Sequence, residues 1–343
     1  MKRQLVPWKE FKVRKLRRAL LNWYGRNRRE LPWRRDADPY RVWVSEIMLQ
    51  QTRVGAVLDH YGRFLARFPN FEILAAARGP SVLAAWSGLG YYHRARRMHQ
   101  AAKVIVRAGS GYFPRTSEQW RELPGVGRYT AAAIASIAFG EAAAVVDGNV
   151  ERVLERMFGR PQEKEAAWQR AEALLDRERP GDFNQAMMEL GATLCTPRAP
   201  QCPRCPLNTW CKSRGAAVVR PQPERKRKRL YYGLARKGGA VLLVQRPADA
   251  SLMGGMWELP TVPRLQTRGH APLTKLRHSI THTDYEVSVL ALSPEKFFGF
   301  ETGARWFGRK QWETLPLTGL ARKVLRRLQV ESGLEQQESN RLR

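Results

Sequence analysis

Two acidic residues have neighbours that suit acid–base chemistry. Glu46 lies in the apolar segment 42–49, and Asp147 directly precedes a second run with helical periodicity. If the first segment is helical, Glu46 shares a face with Val42 and Trp43, and partial burial would raise the pKa of its carboxyl group. An acid that keeps its proton near neutral pH can serve as a proton donor. The alternatives are a solvated helix acid for Glu46 and a helix cap for Asp147, and capping would not exclude a catalytic role.

A second chemical feature is a group of thiols. All the cysteines of the chain fall within residues 195–211, at Cys195, Cys202, Cys205 and Cys211. This spacing allows four thiolates to close around one metal centre. Spacing alone does not separate zinc from a four-iron cluster, because both take four thiolates. Unrelated buried cysteines are the remaining alternative, and a secreted disulfide framework is disfavoured by the confinement of the thiols.

A glycine-containing turn follows Leu123 and Pro124. Gly125, Val126 and Gly127 stand between two predicted helices, where glycine permits a tight turn and the next helix offers free N–H groups to a phosphate. This pattern is typical of a helix-hairpin-helix motif, which grips the DNA backbone rather than the bases. An ordinary turn between helices would explain the two glycines taken alone.

The charge of the whole chain favours a polyanionic partner. Lysine and arginine total 60 against 31 acidic residues, which gives a net charge of +29. A membrane surface is disfavoured because the sequence has neither the apolar core of a signal peptide nor an unbroken apolar span. We therefore expect a cytoplasmic, nucleoid-associated protein that binds DNA.

The elements that must position these residues fall into two groups. From residue 11 to about 194, apolar residues recur at spacings of three and four, which predicts a helical domain over residues 1–218. Residues 219–229 are proline-interrupted and basic and are predicted to form a linker. Strand patterns at 240–247, 256–260 and 285–292, followed by a helix at 317–328, predict a small α+β domain over 230–332. Residues 333–343 are predicted to be a polar tail.

Over residues 10–215, these features together resemble the endonuclease III superfamily of helix-hairpin-helix base-excision glycosylases. The resemblance implies that the four cysteines hold a [4Fe-4S] cluster, which makes zinc a minor alternative. It also implies that the turn at Gly125 is the DNA-binding hairpin and that Asp147 is the catalytic aspartate.

Within that superfamily, residues 43–52 are similar to the diagnostic segment of the MutY-type adenine-DNA glycosylases, which remove adenine mispaired with 8-oxoguanine. The resemblance implies that Glu46 is the general acid, with Tyr129 and Asn149 as active-site neighbours. It implies base-pocket and duplex-wedge contacts for Arg34, Gln51, Thr52, Tyr91 and Glu189. Without the resemblance, Tyr91 could be a core residue and Gln51 a solvated helix residue.

The implied reaction follows from the bond that is broken. Protonation of the adenine imidazole nitrogen by Glu46 withdraws electrons from the glycosidic bond, and ionised Asp147 stabilises the oxocarbenium-like sugar. Water completes the reaction and leaves an abasic site. Tyr129 stands where a lysine would form a Schiff base, so no strand cleavage is expected.

The second domain resembles the Nudix-like C-terminal domain of the same family, through the segment 245–260. It lacks an Arg-Glu-x-x-Glu-Glu run, so we expect binding of the lesion rather than nucleotide hydrolysis. Residues 278–282 align with the loop that recognises 8-oxoguanine, where Thr281 and His282 would supply hydrogen bonds. Ile280 replaces an aromatic residue and cannot stack on a base as an aromatic ring does.

The resulting hypothesis is a monomeric adenine glycosylase acting on duplex DNA that contains an A:8-oxoguanine or A:G mispair. Two alternatives are a bifunctional pyrimidine-lesion glycosylase with lyase activity and a non-catalytic DNA-binding iron–sulfur protein. A nucleotide pyrophosphatase is disfavoured by the missing acidic run.

Overall fold

The chain forms two compact units. The computed structural model describes residues 9–109, 113–161, 163–216, 225–247, 250, 253–263, 271–280, 283–293 and 303–328. One unit comprises residues 1–77 and 97–221, and the other comprises residues 78–96 and 222–343.

Helices make up the regular structure of residues 9–216, apart from three short 3-10 turns. Several helices begin where the sequence predicts a break, since α2 starts at Pro39 and α9 at Gly148. The helices are α1 (Glu10–Asn27), α2 (Pro39–Leu49), α3 (Val54–Arg67), α4 (Phe71–Ala76), α5 (Gly79–Ala85), α6 (His93–Arg107), α7 (Ser117–Arg121), α8 (Arg128–Phe139), α9 (Gly148–Phe158), α10 (Lys164–Leu174) and α11 (Pro180–Thr193).

Two apolar clusters hold this helical unit together. In the first, Leu16 and Leu20 of α1 pack with Leu154 of α9 and Leu190 of α11, and all four are fully buried. Leu16 and Leu20 are four residues apart and therefore lie on one face of α1. Burial of a leucine side chain contributes about 1.5–3 kcal/mol, so this cluster fixes the helices that carry Asp147 and Glu189.

The second cluster is aromatic and fixes α2. The ring of Trp43 stacks on Phe71 with centroids 5.1 Å apart and lies 6.2 Å from Trp120. Trp43 and Trp120 are fully buried. Because Glu46 follows Trp43 by one helical turn, this packing sets the position of its carboxyl group.

Strands β1 to β7 and two helices are found among the described residues from 225 to 328. They are β1 (Lys226–Leu234), β2 (Arg236–Lys237), β3 (Ala240–Gln245), β4 (Trp257–Glu258), β5 (Pro272–Ile280), β6 (Thr283–Ala291), β7 (Ala304–Phe307), α12 (Arg309–Thr314) and α13 (residues 319–328). One sheet has the order β1–β6–β5, with β1 parallel to β6 and β5 antiparallel to it. In the other sheet, β3 pairs antiparallel with β2, β4 and β7. Leu243, Val287, Val289 and Val324 lie in the common core.

The mainly helical first part and the small α+β second part agree with the predicted fold class. The predicted boundaries differ from the units in two places. Residues 226–229, predicted as linker, form the start of β1. Residues 78–96 belong with the second unit, where Arg322 Nη2 donates to Ser87 Oγ at 2.8 Å and Arg96 donates to the Gly254 carbonyl. Within the described residues, the structure offers no helix with the length and apolarity of a membrane span.

Candidate active site

Glu46 lies in α2 and is nearly excluded from solvent, with 5% of its surface exposed. The helix starts at Pro39, and the Asp38 side chain accepts a hydrogen bond from Arg41 N at 2.8 Å, which caps its first turn. Tyr129 Oη donates to Glu46 Oε2 at 2.7 Å. Burial raises the pKa of Glu46 to about 7, and the nearby charge of Asp147 adds to the rise, whereas the hydrogen bond from Tyr129 opposes it. This is the direction predicted from the sequence.

Asp147 is the N-cap residue of α9. Its Oδ1 accepts from Val150 N at 2.7 Å and from Asn149 N at 3.0 Å, while its Oδ2 accepts from Asn149 Nδ2 at 3.0 Å. Burial raises the pKa of Asp147, and these hydrogen bonds together with the charge of Arg152 oppose the rise. Asp147 therefore caps α9, as the alternative interpretation predicts. The capping carboxylate is the same group that is predicted to be reactive.

Tyr129 brings the two acids into one site. Its hydroxyl is within 3.2 Å of Met188 Sδ in addition to its bond with Glu46. Burial raises the pKa of Tyr129 well above its ordinary value, and the charges of Glu46 and Asp147 add to this effect. The phenol therefore stays neutral and acts as a hydrogen-bond donor. The charge of Asp147 also contributes to the raised pKa of Glu46, so the two carboxyl groups lie within electrostatic range of each other.

A buried ion-pair network lies beside Glu46. The Glu189 side chain is 0% exposed and accepts from Arg29 Nε at 2.7 Å and from Arg34 Nη2 at 2.9 Å. Burial would raise the pKa of Glu189, but the hydrogen bonds from the two arginines outweigh it and lower the pKa to about 2. Glu189 therefore remains ionised. The charge of Arg34 also acts on Glu46, which it holds at a lower pKa than burial alone would give. Arg29 was not predicted from the sequence.

Arg152 was also not predicted, and it joins the cap of α9 to the cysteine segment. Its Nη2 donates to Asn149 Oδ1 at 2.9 Å and to the Gly191 carbonyl at 2.7 Å, while Nε donates to the Cys195 carbonyl at 2.8 Å. The close approach of α9 and α11 at this point requires Gly191, because a Cβ there would lie 2.7 Å from Asn149 Cβ. A basic residue three positions after Asn149 on a helix was the available sequence signal.

The four predicted cysteines are half-buried and lie in one segment. Arg156 Nη1 donates to Cys195 Sγ at 3.3 Å, and Cys211 Sγ lies 3.4 Å from the Arg156 carbonyl oxygen. Burial raises the pKa of Cys205 to about 11, and the charges of the other three thiols contribute to the rise. The thiols therefore lie close enough to interact. No group of three or more His, Cys, Asp or Glu among the described residues has a geometry that could hold a metal ion.

The predicted hairpin turn joins α7 to α8. Gly125 has φ +82°, and a Cβ at this position would lie 2.6 Å from Arg97 Cβ. Val126 is buried and anchors the turn, whereas Gly127 is the N-cap residue of α8. The backbone N–H groups at the start of α8 are therefore placed at the end of a tight turn between helices, as the motif predicts.

Two predicted wedge residues have left-handed backbone conformations. Gln51 is exposed, has φ +56° and follows the end of α2; the adjacent Thr52 is half-buried. Tyr91, in the second unit, has φ +45° and is 37% exposed. Non-glycine residues with such φ values are uncommon and concentrate at functional sites. Tyr91 is therefore not a core residue.

The loop that carries Tyr91 is braced by Arg94, whose surface is 5% exposed. Arg94 Nη2 donates to the Leu89 carbonyl at 3.1 Å and to the Gly90 carbonyl at 3.3 Å. Its guanidinium lies 5.4 Å from the centroid of the Tyr91 ring and 5.3 Å from that of Trp86. Burial lowers the pKa of Arg94 to about 10. The buried guanidinium of Arg94 thus holds the loop in two ways, by hydrogen bonds to its carbonyl groups and by contact with its aromatic rings.

The predicted lesion-recognition residues Thr281 and His282 lie outside the described residues. The strands on either side, β5 and β6, are described and pair with each other from His278–Tyr285 to Ile280–Thr283. His278 is half-buried in β5, where burial lowers the pKa of its imidazole.

Comparison with known proteins agrees with this geometry. Residues 44–176, which include Glu46, Tyr129 and Asp147, match the HhH-GPD superfamily of base excision DNA repair proteins. Among solved structures, a thermostable thymine-DNA glycosylase is 32% identical with a TM-score of 0.55 and covers 60% of this chain and 97% of its own. A non-covalent endonuclease III–DNA complex, at 21% identity and a TM-score of 0.52, shares the fold over 60% of this chain and 97% of its own.

The similarity to curated relatives extends over most of the chain. The adenine DNA glycosylase of Homo sapiens is 36% identical over 92% of this chain and 74% of its own length. That of Mus musculus is 35% identical over 92% of this chain and 78% of its own, and that of Arabidopsis thaliana is 38% identical over 74% and 48%. The chain belongs to the adenine DNA glycosylase family.

Proposed function

We propose that this protein hydrolyses the N-glycosidic bond of adenine mispaired with 8-oxoguanine or guanine in duplex DNA, without cutting the strand. The observation that carries the proposal is the pairing of Glu46, with a pKa near 7 and a hydrogen bond from Tyr129, with the helix-capping carboxylate of Asp147. Two carboxyl groups with different surroundings are the arrangement used to break glycosidic bonds.

In this proposal Glu46 is the general acid. A carboxyl group with a pKa near 7 is partly protonated at neutral pH and can transfer its proton to the imidazole nitrogen of the departing adenine. Tyr129 holds Glu46 Oε2 and so leaves the other carboxyl oxygen to face the base. After the transfer, Glu46 carries a negative charge that the hydrogen bond from Tyr129 and the charge of Arg34 stabilise.

Asp147 is the group that stabilises the positive charge developing on the sugar. The three hydrogen bonds that it accepts favour its ionised form and fix its orientation. Asn149 takes part in this fixation through its side-chain amide. Water then attacks the sugar and leaves an abasic site. Since Tyr129 supplies no amine, a Schiff base with the sugar has no nucleophile at this position.

The remaining predicted residues are proposed to bind the base and the duplex. Arg34 and Glu189 border the site through their ion pair and would contact the flipped base. The turn at Gly125, Val126 and Gly127 would bind backbone phosphate. Gln51 and Tyr91 would wedge into the stack, with Thr52 supporting Gln51. Base flipping costs a few kcal/mol, which these contacts must offset.

We further propose that the four cysteines hold a [4Fe-4S] cluster. The charges of the other three thiols act on Cys205, so the four thiols lie near one another. Four thiolates can hold either zinc or a four-iron cluster, and the likeness of residues 10–215 to the endonuclease III superfamily favours the cluster. When bound, the cluster would supply structural cross-links and redox chemistry to this segment, and Arg156 would hold Cys195 in place.

The second unit is proposed to be Nudix-like and to read the base opposite the adenine, with Thr281 and His282 as hydrogen-bonding residues. The pairing of β5, which ends at Ile280, with β6, which begins at Thr283, supports this role.

A glycosylase assay over three duplexes tests the proposal. Adenine release is expected from A:8-oxoguanine and A:G duplexes, and no base release is expected from C:8-oxoguanine. Borohydride should trap no covalent adduct, since the site lacks an amine at position 129. Release of a pyrimidine lesion, or a trapped adduct, would support the bifunctional alternative instead.

A further inference from the structure

One face of the sheet β1–β6–β5 carries charged side chains in rows across the strands. Arg229 of β1, Glu286 of β6 and Arg277 of β5 stand opposite each other in register. In the next row, Tyr231 and Ser288 align with Lys275. Because side chains alternate along a strand, these residues share the face opposite the core residues Tyr232, Leu276 and Val287.

Helix α13 adds two cations at the edge of this face. Lys323 and Arg327 lie one helical turn apart on α13, and Lys323 Nζ donates to the Arg277 carbonyl at 3.2 Å. A cavity of about 780 Å³ is lined by residues from both the sheet and α13. Its cations are Arg229, Lys275, Arg277, Lys323 and Arg327, all of them exposed, and we call this cavity the basic groove.

The positive charge of the basic groove exceeds its negative charge. Among the described lining residues, Glu286 is the one carboxylate, and its Oε2 lies 3.6 Å from Arg229 Nε. At the other end of the same sheet face, Asp284 lies opposite Arg227 and accepts hydrogen bonds from Arg225 at 2.7 Å and from Ser279 at 2.6 Å, so the excess of positive charge is smaller there. A solvated face would be expected to intersperse both signs along the sheet. Here the excess is concentrated where the surface is concave.

The donor set of the basic groove fits phosphate. Guanidinium groups bind phosphate oxygens through paired N–H donors, and ammonium groups bind them as point charges. The hydroxyl groups of Tyr231 and Ser288 add neutral donors within the same lining. Several cations spread over two strands and a helix suit an extended chain of phosphates rather than one small anion.

We propose that the basic groove binds backbone phosphates of duplex DNA, as a contact additional to the hairpin turn and the base pocket. This proposal rests on the proposed function in one respect, which is that duplex DNA is the polyanion bound by the protein. Its role is to increase affinity and the time spent on DNA without reading sequence, because phosphate contacts carry no sequence information directly.

The test compares charge-removing variants of the full-length protein. Lys275→Gln/Arg277→Gln and Lys323→Gln/Arg327→Gln each remove two charges from the basic groove, one pair from β5 and one from α13. Arg236→Gln/Lys237→Gln is the matched control, since it removes two exposed charges from β2 of the same unit outside the groove. The Kd of a fully paired 30-base-pair duplex is measured between 50 and 200 mM salt.

Each phosphate contact contributes about 0.9 to the slope of log K against log salt. Either groove variant is therefore expected to lose a slope of about 1.8, so that its loss of affinity over this fourfold salt range is about tenfold smaller than that of the wild type. The control is expected to keep the wild-type slope. An equal slope change in the control would indicate a general charge effect and overturn the proposal, as would unchanged slopes in both groove variants.

Two further readouts distinguish a failure of this proposal from a folding defect and from a failure of the proposed function. Thermal unfolding of each variant must match the wild type, and the second groove variant keeps the test valid if the first does not fold. Adenine release by the wild type from an A:8-oxoguanine duplex is the second readout. If the protein releases no adenine at all, the proposed function fails while the binding slopes still decide the groove. Unchanged DNA binding in both groove variants would instead favour an acidic protein segment as the ligand of the basic groove.

Discussion

The proton of Glu46 is controlled by three neighbours of different kinds. Apolar packing around Trp43 removes water from the carboxyl group, Asp147 adds a like charge, and Tyr129 donates a hydrogen bond at 2.7 Å. The first two raise the pKa of Glu46, and the third lowers it. Removing any one of these three interactions should therefore shift the pKa of Glu46 in a predictable direction.

Tyr129→Phe removes the hydrogen bond that lowers the pKa of Glu46. The pKa should rise above its present value near 7, because the ionised form loses its donor. Since the general acid must be protonated, the rate of adenine release falls as pH passes this pKa. The descending limb should move to higher pH by about one unit, given the usual strength of hydrogen bonds to charged groups. Single-turnover rates between pH 5 and 9 measure it.

The control for this variant is Tyr61→Phe, which removes a buried hydroxyl that donates to the Arg41 carbonyl. It should leave the limb in place. A limb that stays fixed or moves to lower pH in Tyr129→Phe would show that Tyr129 does not act on the proton of the general acid.

The sequence predicted the two acids of the site but not the arginines that form hydrogen bonds around them. Glu46 could be singled out from an acid among apolar helical neighbours, and Asp147 from its position before a helix. Arg29 could not, because its partner Glu189 is 160 residues away in the chain. Arg152 likewise bonds to carbonyls 39 and 43 residues away. Spacing along one segment carries no information about such partners.

At the scale of elements, the turn between α7 and α8 requires a residue without a Cβ at position 125. Gly125→Ala places a Cβ 2.6 Å from Arg97 Cβ in a backbone with φ +82°. The strain should cost about 1–3 kcal/mol and displace the backbone N–H groups that bind phosphate. We expect a lower free energy of unfolding and weaker binding of non-specific duplex DNA, measured by denaturant titration and fluorescence anisotropy.

Gly127→Ala provides the comparison within the same turn. This glycine has φ −89°, and a Cβ there would meet nothing within 4 Å. Alanine is a poorer N-cap than glycine, so a modest loss of stability is expected, but no steric strain arises and DNA binding should remain close to wild type. Equal losses in both variants would mean that the left-handed conformation at residue 125 is not what the turn depends on.

The loop that carries Tyr91 leads to a prediction about coupling. Arg94→Met removes the guanidinium that holds the Leu89 and Gly90 carbonyls and lies near the Tyr91 ring. Stacking of an aromatic side chain on a base is worth about 1–3 kcal/mol. Arg94→Met and Tyr91→Ala should therefore each weaken binding of mispaired duplex by about fivefold or more, without an additional loss in the double variant.

A double-mutant cycle on the Kd of an A:8-oxoguanine duplex measures that coupling. Additive losses in the two single variants would show that Arg94 does not act through Tyr91. Thermal unfolding distinguishes a positioning role from a purely structural one, because the latter would lower the unfolding temperature in both backgrounds by the same amount.

Helices were more predictable than strands for a physical reason. Helical periodicity is local, and a proline or glycine lies at or next to the start of α2, α5, α9 and α11. Strand β1 was missed because Lys226 to Arg229 have a charged, proline-flanked composition typical of a linker. Its pairing with β6 forms only through residues about 57 positions away, as in Lys226 with Thr283. A sheet face that is charged rather than alternating gives no apolar pattern to detect.

At the scale of the whole molecule, composition predicted the class of partner, while contacts determined the units. A net charge of +29 and two chemically distinct halves were evident from the sequence. The inclusion of residues 78–96 in the second unit was not, since the hydrogen bond between Arg322 and Ser87 spans 235 positions. Tyr91 and the paired strands β5 and β6 thereby belong to one unit.

The central claim is that a carboxylic acid at residue 46 delivers the proton that releases adenine. The most direct measurement is the single-turnover rate of adenine release from an A:8-oxoguanine duplex against pH, for the wild type and for Glu46→Gln. The wild-type rate should fall above pH of about 7, and the variant should be slower by about 10²–10⁴-fold, without that limb and with DNA binding retained. A variant that releases adenine at the wild-type rate, or that keeps the same descending limb, would contradict the account.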